Sequence, residues 1–390
     1  MGEKSSSSRL VVFADDWGRH PSSCQHLVRH LLPRLDTVWI NTLGTRRPRL
    51  SLTDFVRAAG RVHQWIRKGR GRAELPENLT VLNPHMYPGF RDNWQRQFNT
   101  RLLVGQINTA LAAQWGQRDG RRVAVTTIPV TADLVGRLDV DRWVYYCVDD
   151  FSAWPGLDAA ALQEMERKLV GEVDAVLAVS ETLQQRIGTF GRDAELLTHG
   201  IDLEHWRPTP EVQLDLPSWW RKISGPVFLF WGLIDQRLDP QWCRSLAQAI
   251  VPRGGSLVLV GPKQYPDKNL ASLPGVQMPG PIDYQHLPKL ASAAQALVMP
   301  YADLEVTRAM QPLKFKEYLA TGKPVLARDL PAMRPWSDAT DLLGDTDTFV
   351  SRALERLSTG TPPEQQAARL RLIHESWSEK ARQFEAFLQA

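Results

Sequence analysis

Apolar residues along this chain follow two alternating rhythms. Short runs rich in β-branched or aromatic residues, each bounded by turn residues, predict strands at 10–14, 37–41, 80–82, 123–127, 143–148 and 175–179. Longer amphipathic stretches separate them, the first at 24–35. Strands alternating with helices imply βαβ units and a parallel sheet covered on both faces. The rhythm breaks between 203 and 225, where Pro208, Pro210, Pro217 and Gly225 accompany clustered tryptophans. It restarts with strands at 227–231, 256–260, 296–299 and 324–327.

The expected organisation is therefore a first Rossmann-like domain at 1–205, a linker at 206–221 and a second such domain at 222–355. A helical segment at 356–390 follows, reading as helix over 363–388 and expected to pack back on the first domain. Two doubly wound sheets of this kind are expected to bind ligands in a cleft at the carboxyl ends of their strands.

The length of 390 residues agrees with two domains. A hydrophobic fraction of 43% and a charged fraction of 23% exclude a disordered or fibrous chain. Cys24, Cys147 and Cys243 are odd in number and far apart, which argues against a disulfide framework or zinc ribbon and for a reducing, cytoplasmic setting. The serine-rich start lacks an apolar signal core, and no run of about 18 apolar residues occurs, so neither export nor membrane spanning is expected.

Charge is unevenly spread. Arg46, Arg47, Arg49, Arg57, Arg61, Arg67, Lys68, Arg70 and Arg72 face Asp54 alone, with Phe55, Val56, Val62, Trp65 and Ile66 interleaved. Such a segment reads as a face for an anionic membrane surface, with peripheral attachment to its inner side, or as a solvated helix. No nucleic-acid-binding signature accompanies it, so nucleic acid is not an expected partner.

Two segments of the second half carry anion chemistry. In Phe230-Trp231-Gly232-Leu233-Ile234-Asp235-Gln236-Arg237, Gly232 follows a strand end and lets the backbone approach an anion that Arg237 can clamp. Gln311-Pro312-Leu313-Lys314-Phe315-Lys316-Glu317-Tyr318-Leu319-Ala320-Thr321-Gly322-Lys323-Pro324-Val325 reads as a loop, a helix opened by Pro312, a Gly322 stop and a buried strand. Lys314 in a first turn opposes the helix dipole unless an anion docks there. Glu317 lies one turn on, on the same face. In the first half, Asp149-Asp150 ends a strand, as does Asp15-Asp16. Alternation along the strand leaves Asp149 for chemistry and Asp150 to cap a helix beginning near Ser152. His26 and His30 share a helix face near His20, but nothing nearby completes a metal-ligand set.

At 312–325 the sequence resembles the donor-binding helix of GT-B glycosyltransferases of the family-4 type. Leu257-Val258-Leu259-Val260-Gly261-Pro262, the stretch 280–301 with Tyr284 and Met299-Pro300-Tyr301, and His199-Gly200-Ile201-Asp202 resemble other parts of that family at matching intervals. So do Asp174 to Ser180, the loop Asp16-Trp17-Gly18-Arg19-His20-Pro21 and the stretch 145–155. The resemblance implies the GT-B fold and transfer of a sugar from a nucleoside-diphosphate donor to a hydroxyl acceptor. It implies retention of anomeric configuration, in polysaccharide or glycolipid assembly, with a saccharide or lipid-linked acceptor. Glu317 would hold the ribose, and Lys314 and Arg237 the diphosphate. Gly232, Pro281, Ile282 and Leu313 complete the donor side. Asp16, Gly18 and His20 form the acceptor-side loop, and Asp149 is the catalytic acid-base candidate. No metal or other cofactor is expected, since cationic side chains and the helix dipole would neutralise the leaving diphosphate.

The chain departs from the family pattern twice. Many members carry a second glutamate eight positions before the ribose ligand, where this chain has Ala309; Glu305 does not fill that place. The usual arginine after the first glycine of the second domain is Leu233. Two alternatives therefore stand beside transfer: a GT-B-fold sugar-nucleotide epimerase and a non-catalytic nucleotide-sugar-binding module. A dehydrogenase would need Gly-x-Gly-x-x-Gly after a strand, which the chain lacks.

Overall fold

The computed structural model describes residues 9–18, 22–41, 75–87, 89–116, 120–153, 158–208 and 215–390. The chain divides into two compact units, Met1–Thr198 with Ala381–Ala390, and His199–Lys380. The basic segment around Arg46 to Arg72, and His20 of the acceptor-side loop, lie outside the described residues.

The first unit runs β1 (Arg9–Phe13), α1 (Ser23–Leu31), β2 (Asp36–Ile40), β3 (Leu79–Leu82), α2 (Asn93–Trp115), β4 (Arg122–Thr126) and β5 (Arg142–Cys147). It continues with α3 (Ala159–Glu172), β6 (Ala175–Ala178), α4 (Glu181–Gly188) and β7 (Glu195–Leu196). Its seven strands are parallel in the order β3-β2-β1-β4-β5-β6-β7. Leu10, Val11, Val12 and Phe13 are all buried, as expected of a central strand with both faces covered.

The second unit runs β8 (Val227–Trp231), α5 (Pro240–Ile250), β9 (Ser256–Val260), β10 (Val276–Gly280), α6 (Leu287–Ala293), β11 (Ala296–Met299), α7 (Glu305–Ala309) and α8 (Leu313–Ala320). Then follow β12 (Val325–Arg328), β13 (Asp341–Leu343), α9 (Thr346–Thr359), α10 (Pro363–Arg369) and α11 (Trp377–Gln389), whose end belongs to the first unit. Its six strands are parallel in the order β10-β9-β8-β11-β12-β13. Both sheets are Rossmann-like. In each the strand order reverses beside the first strand, at β1/β4 and β8/β11, where loops diverge and ligands settle.

Three strands escape the apolar pattern, and all three are edges. β7 is two exposed residues, β10 contains Pro279 and Gly280, and β13 is three residues long. Edge strands bury one side less and tolerate proline, so their signal is weak. The helix expected over 363–388 is interrupted. Ser376 is extended and pairs in parallel with Ile201, whose N–H donates to Glu375 and whose carbonyl accepts from Trp377. The segment 206–221 is not a bare connector. Trp206 and Trp220 are buried in the core of the second unit.

The ladder between Ile201 and Ser376 is tied to α8 by a buried charge. Lys316 donates to the His199 carbonyl and pairs with Glu375, which Lys380 also approaches at 3.0 Å. Burial lowers the Lys316 ammonium to about 8 although Glu375 opposes this. Burial works against the Glu375 carboxylate, but the two ammonium groups outweigh it and hold its pKa below the ordinary 4.5. A carboxyl depressed in the folded state stabilises fully above its unfolded pKa, and this is lost as pH falls through the folded value. Glu375→Gln should therefore destabilise by about 3–5 kcal/mol at neutral pH, because it leaves a buried ammonium short of its partner. Lys316→Met should cost less. Chemical denaturation of both variants, at neutral pH and again below the ordinary carboxylate range, checks the order. The gap between wild type and Glu375→Gln should narrow in acid.

Candidate active site

The donor-side candidates converge on the end of β8. Tyr318 of α8, fully buried, accepts from the Trp231 N–H at 2.8 Å, and its hydroxyl donates to the Trp231 carbonyl at 3.4 Å. The rings of these two residues lie 3.8 Å apart. This fastening sets α8 against the turn that follows the strand. Gly232 there has φ 144°, a conformation that suits glycine. A Cβ on Gly232 would collide with the Lys314 ammonium, so the missing side chain is what lets the amine reach the backbone. Lys314 also lies over the Phe230 ring, 5.3 Å from its centroid. Gly261, at the end of β9, also has φ 144°, and a Cβ on it would strike the Gly232 carbonyl. The two glycine turns pack backbone to backbone.

α8 begins at Leu313 rather than at Pro312, which takes the N-cap position with φ −70° and ψ 115°. Proline has no capping side chain, and no side chain caps the first turn. That turn therefore presents backbone N–H groups and the positive end of the dipole beside Lys314. At the other end Gly322, φ 75°, stops the helix as expected.

Glu317 sits one turn along, inside an aromatic frame. Its two oxygens accept from the Trp231 indole at 3.2 Å and the Tyr284 hydroxyl at 3.1 Å. The Trp206 indole donates in turn to the Tyr284 hydroxyl at 3.0 Å. Trp206 stacks on Trp231 at 5.0 Å, and His205 stacks on Tyr284 at 4.2 Å. Burial pushes the Glu317 carboxyl above its usual range, while the indole and hydroxyl donors and the Lys314 charge pull it back. Each oxygen of a carboxylate has two lone pairs, so a carboxylate fixed in this way can still accept from a pair of vicinal hydroxyls.

Arg237 is held rather than loose. Its guanidinium forks onto Asp235, with Nε 3.0 Å from Oδ2 and Nη2 2.9 Å from the same oxygen. Nη1 reaches the Met310 sulfur at 3.8 Å, alongside the loop that leads into α8. Pro281 is exposed directly after β10, and Ile282 packs against the core of the unit. Leu313 is half-buried at the start of α8. Gly232, Lys314, Glu317 and Arg237 thus gather around α8 and its entry, with Tyr284 two residues beyond Ile282. Trp206 and His205 are the members that sequence reasoning missed. Their signal was the tryptophan clustering, which also suits a linker.

In the first unit, Asp149-Asp150 stands just beyond the end of β5 at Cys147. Asp150 accepts from the Ser152 N–H at 3.0 Å and pairs with Arg186 at 3.1 Å. It caps only a single 3-10 turn, Phe151–Ala153; the α-helix begins at Ala159, capped by Asp158, and not near Ser152. Asp149 is half-buried beside it. After β1, Asp15 accepts from Ser22 at 2.9 Å and Gln25 at 2.8 Å, and burial raises its pKa above the ordinary value against those bonds. Gln25 also donates to the Asp16 carbonyl at 3.2 Å and accepts from the Gly18 N–H at 3.0 Å. Gly18 takes φ 74°. Gln25, buried on α1, is therefore the residue that shapes the Asp16–Gly18 loop, and a glutamine inside a helical pattern gave no cue to it. Among the described residues no cluster of three or more His, Cys, Asp or Glu is arranged to hold a metal ion.

Gly232→Ala tests the pairing of glycine and lysine. Strain at this φ should cost about 1–3 kcal/mol, seen as a lower melting temperature. Displacing the ammonium should weaken binding of a nucleoside diphosphate about tenfold, the loss of one charge-assisted bond. Titration calorimetry reads this directly, and unaltered affinity would show that the amine does not need the bare backbone.

No protein-family model matches the chain. A relative in Bacillus subtilis, TuaH, assigned as a glycosyltransferase of teichuronic acid biosynthesis, is 26% identical over 208 residues, 49% of this chain. The match spans about half of that relative's length, 51%. Among solved structures, sucrose-phosphate synthase from Thermosynechococcus elongatus superposes with a TM-score of 0.69 at 16% identity, covering 98% of each chain. HepE of Anabaena, solved with UDP-glucose, superposes with a TM-score of 0.63 at 13% identity, covering 98% of this chain and 99% of that one. TuaH is a glycosyltransferase and the Thermosynechococcus protein a sugar-phosphate synthase by name, and the fold that the solved structures share with this chain, here two Rossmann-like units with parallel sheets of seven and six strands, is GT-B.

Proposed function

We propose that the chain is a glycosyltransferase that moves a sugar from a nucleoside-diphosphate donor to a hydroxyl acceptor. The observation that carries this reading is the placement of Lys314 at the uncapped start of α8, against Gly232, with Glu317 framed by Trp231 and Tyr284 one turn on. An anion site followed by a fixed carboxylate matches a diphosphate followed by a ribose. Departure of the nucleoside diphosphate builds negative charge, and preorganised cations act on it where it develops. Lys314, Arg237 and the α8 dipole fill that role without a metal. The acceptor is assigned to the first unit, with Asp149 as its acid-base group and the Asp16–Gly18 loop beside it. Because HepE is solved with UDP-glucose, a uridine diphosphate hexose is the first donor to try. The name of TuaH points to cell-surface polysaccharide assembly, here with retention, on a saccharide or lipid-linked acceptor in the cytoplasm.

A thermal-shift series of nucleoside diphosphates tests the donor site; a true ligand at a hundred times its dissociation constant adds about 2.7 kcal/mol. Lys314→Ala and Arg237→Ala should each cut transfer about tenfold to a hundredfold at unchanged fold. Full turnover in both removes the assignment. Incubation with donor alone separates transfer from epimerisation, which needs no acceptor.

Asp149→Asn should lower transfer by roughly 10²–10⁴-fold with nucleotide affinity unchanged. Asp150→Asn should instead lower stability by about 1–3 kcal/mol, because it keeps the acceptor for the Ser152 N–H but takes the charged partner from Arg186. Rates, affinities and melting temperatures of the pair, measured together, decide which aspartate acts. The reversed pattern gives the role to Asp150.

A further inference from the structure

Glu166, on α3, is 2% exposed, a carboxylate taken almost wholly out of water. Tyr145 and Cys147 stand two apart on β5, on one face of the strand, and both turn to it. The Tyr145 hydroxyl donates to Oε1 at 2.7 Å, and the Cys147 Sγ lies 3.7 Å from the same oxygen. Burial raises the phenol and the thiol well above their ordinary values, so both keep their protons. The other oxygen of Glu166 pairs with the Arg186 guanidinium.

Arg186 stands in the last turn of α4. Besides Glu166 it has two further partners. Nε stands 3.1 Å from Asp150, and Nη2 donates to the Ser152 hydroxyl at 3.3 Å. The guanidinium carbon lies 5.2 Å from the centroid of the Phe190 ring. A cation in a last helical turn is ordinary. This one reaches away from its helix to two carboxylates on other segments.

Stability does not account for the arrangement. A buried ion pair loses in desolvation much of what attraction returns, and apolar residues of like volume often serve a fold as well or better. What a guanidinium adds is geometry, because its donors form a rigid fork. Here the fork is fixed on Glu166 and sends its remaining nitrogens to the turn at Asp150 and Ser152. Asp150 itself accepts from the Ser152 N–H at 3.0 Å and from the Ser152 hydroxyl. Asp149 comes directly before this turn, and its carbonyl lies 3.8 Å from the Cys147 Sγ. The loop after β5 is therefore tied to α3 through Arg186 and to the sheet through Cys147.

We infer that Arg186 is a positioning residue: anchored on Glu166, it fixes the turn at Asp150 and Ser152, and thereby the Asp149 carboxylate. This rests on the reading of Asp149 as the acid-base group. Neither Arg186 nor Glu166 acts on substrate; both act through Asp149.

Arg186→Gln alone would leave Glu166 buried, charged and unpaired, and so unsettle the fold. The informative variant is Glu166→Gln combined with Arg186→Met. It keeps an acceptor for Tyr145 and removes both charges. Its melting temperature should stay near that of wild type. Amide hydrogen exchange over 148–153 should nevertheless quicken about tenfold, with the strands of the sheet unchanged. With UDP-glucose as donor and water as acceptor, kcat should fall about tenfold to a hundredfold at unchanged KM. Added to Asp149→Asn, the two substitutions should cost no further rate. Wild-type exchange in the loop of the paired variant overturns the inference. So does a paired variant that melts far below wild type, which assigns the network to stability. A raised KM at full kcat overturns it too, being a loss of binding. Asp149→Asn as active as wild type removes the acid-base reading, and the inference falls with it. A slow Asp149→Asn beside a fully active paired variant overturns the positioning alone. The exchange measurement uses no donor, so it decides whatever sugar nucleotide the chain takes.

Discussion

The second unit turns on one joint, where the Tyr318 hydroxyl accepts from the Trp231 N–H and donates to the Trp231 carbonyl. A strand end normally leaves its last N–H and carbonyl to water or a turn. Here a buried phenol satisfies both, and each buried bond of this kind contributes only about 1 kcal/mol but is costly to leave unmade. Its consequence is positional. With β8 and α8 pinned at this point, Gly232 is held under Lys314, and the Trp231 indole is aimed at Glu317. The glycine stands some eighty residues from the lysine and the carboxylate in sequence, and the Tyr318 joint brings its turn against their helix.

What the sequence made legible was whatever is buried on both faces. The central strands β1, β4, β5, β8, β9 and β11 are continuous apolar runs, and the pattern finds them within a residue or so. The edges β7, β10 and β13 lack that signal because one flank has no neighbour to demand it. The same logic covers the candidate site. Gly232, Lys314 and Glu317 were readable because each breaks a local rule: a glycine at a strand end, a cation in a first turn, a carboxylate on an apolar helix. Gln25, His205 and Trp206 break none. A buried glutamine that shapes a loop and a tryptophan that frames a carboxylate look like any helical or linker residue until the chain is folded.

Paired aspartates illustrate how packing divides equal residues. Asp15 and Asp150 are each tied into the scaffold, the first by Ser22 and Gln25, the second by Ser152 and Arg186. Asp149 is half-buried beside the buried Asp150, whereas Asp15 and Asp16 are both half-buried. Alternation of side chains along an extended backbone sends adjacent carboxylates to different sides, and Asp15 and Asp150 each find donors on theirs. A loop fixed through one aspartate constrains the position of the other.

The two lysines of α8 carry the same idea onto a helix. Lys314 and Lys316 stand two residues apart, about 200° around the axis, and so they face opposite ways. Lys314 turns to the Gly232 backbone at the mouth of the sheet, half-buried. Lys316 turns into the protein, where the His199 carbonyl and Glu375 receive it. Burying an ammonium is expensive unless it is paired, so the second lysine commits α8 to the ladder formed by Ile201 and Ser376. One eight-residue helix is thereby held at three points: by Tyr318 to the end of β8, by Glu317 to the aromatic frame, and by Lys316 to the segments where the chain enters and leaves the second unit. A first turn left uncapped but held at three points is a rigid presenter of N–H groups and charge. Rigidity of this sort, rather than the number of cations, separates a preorganised anion site from a basic surface.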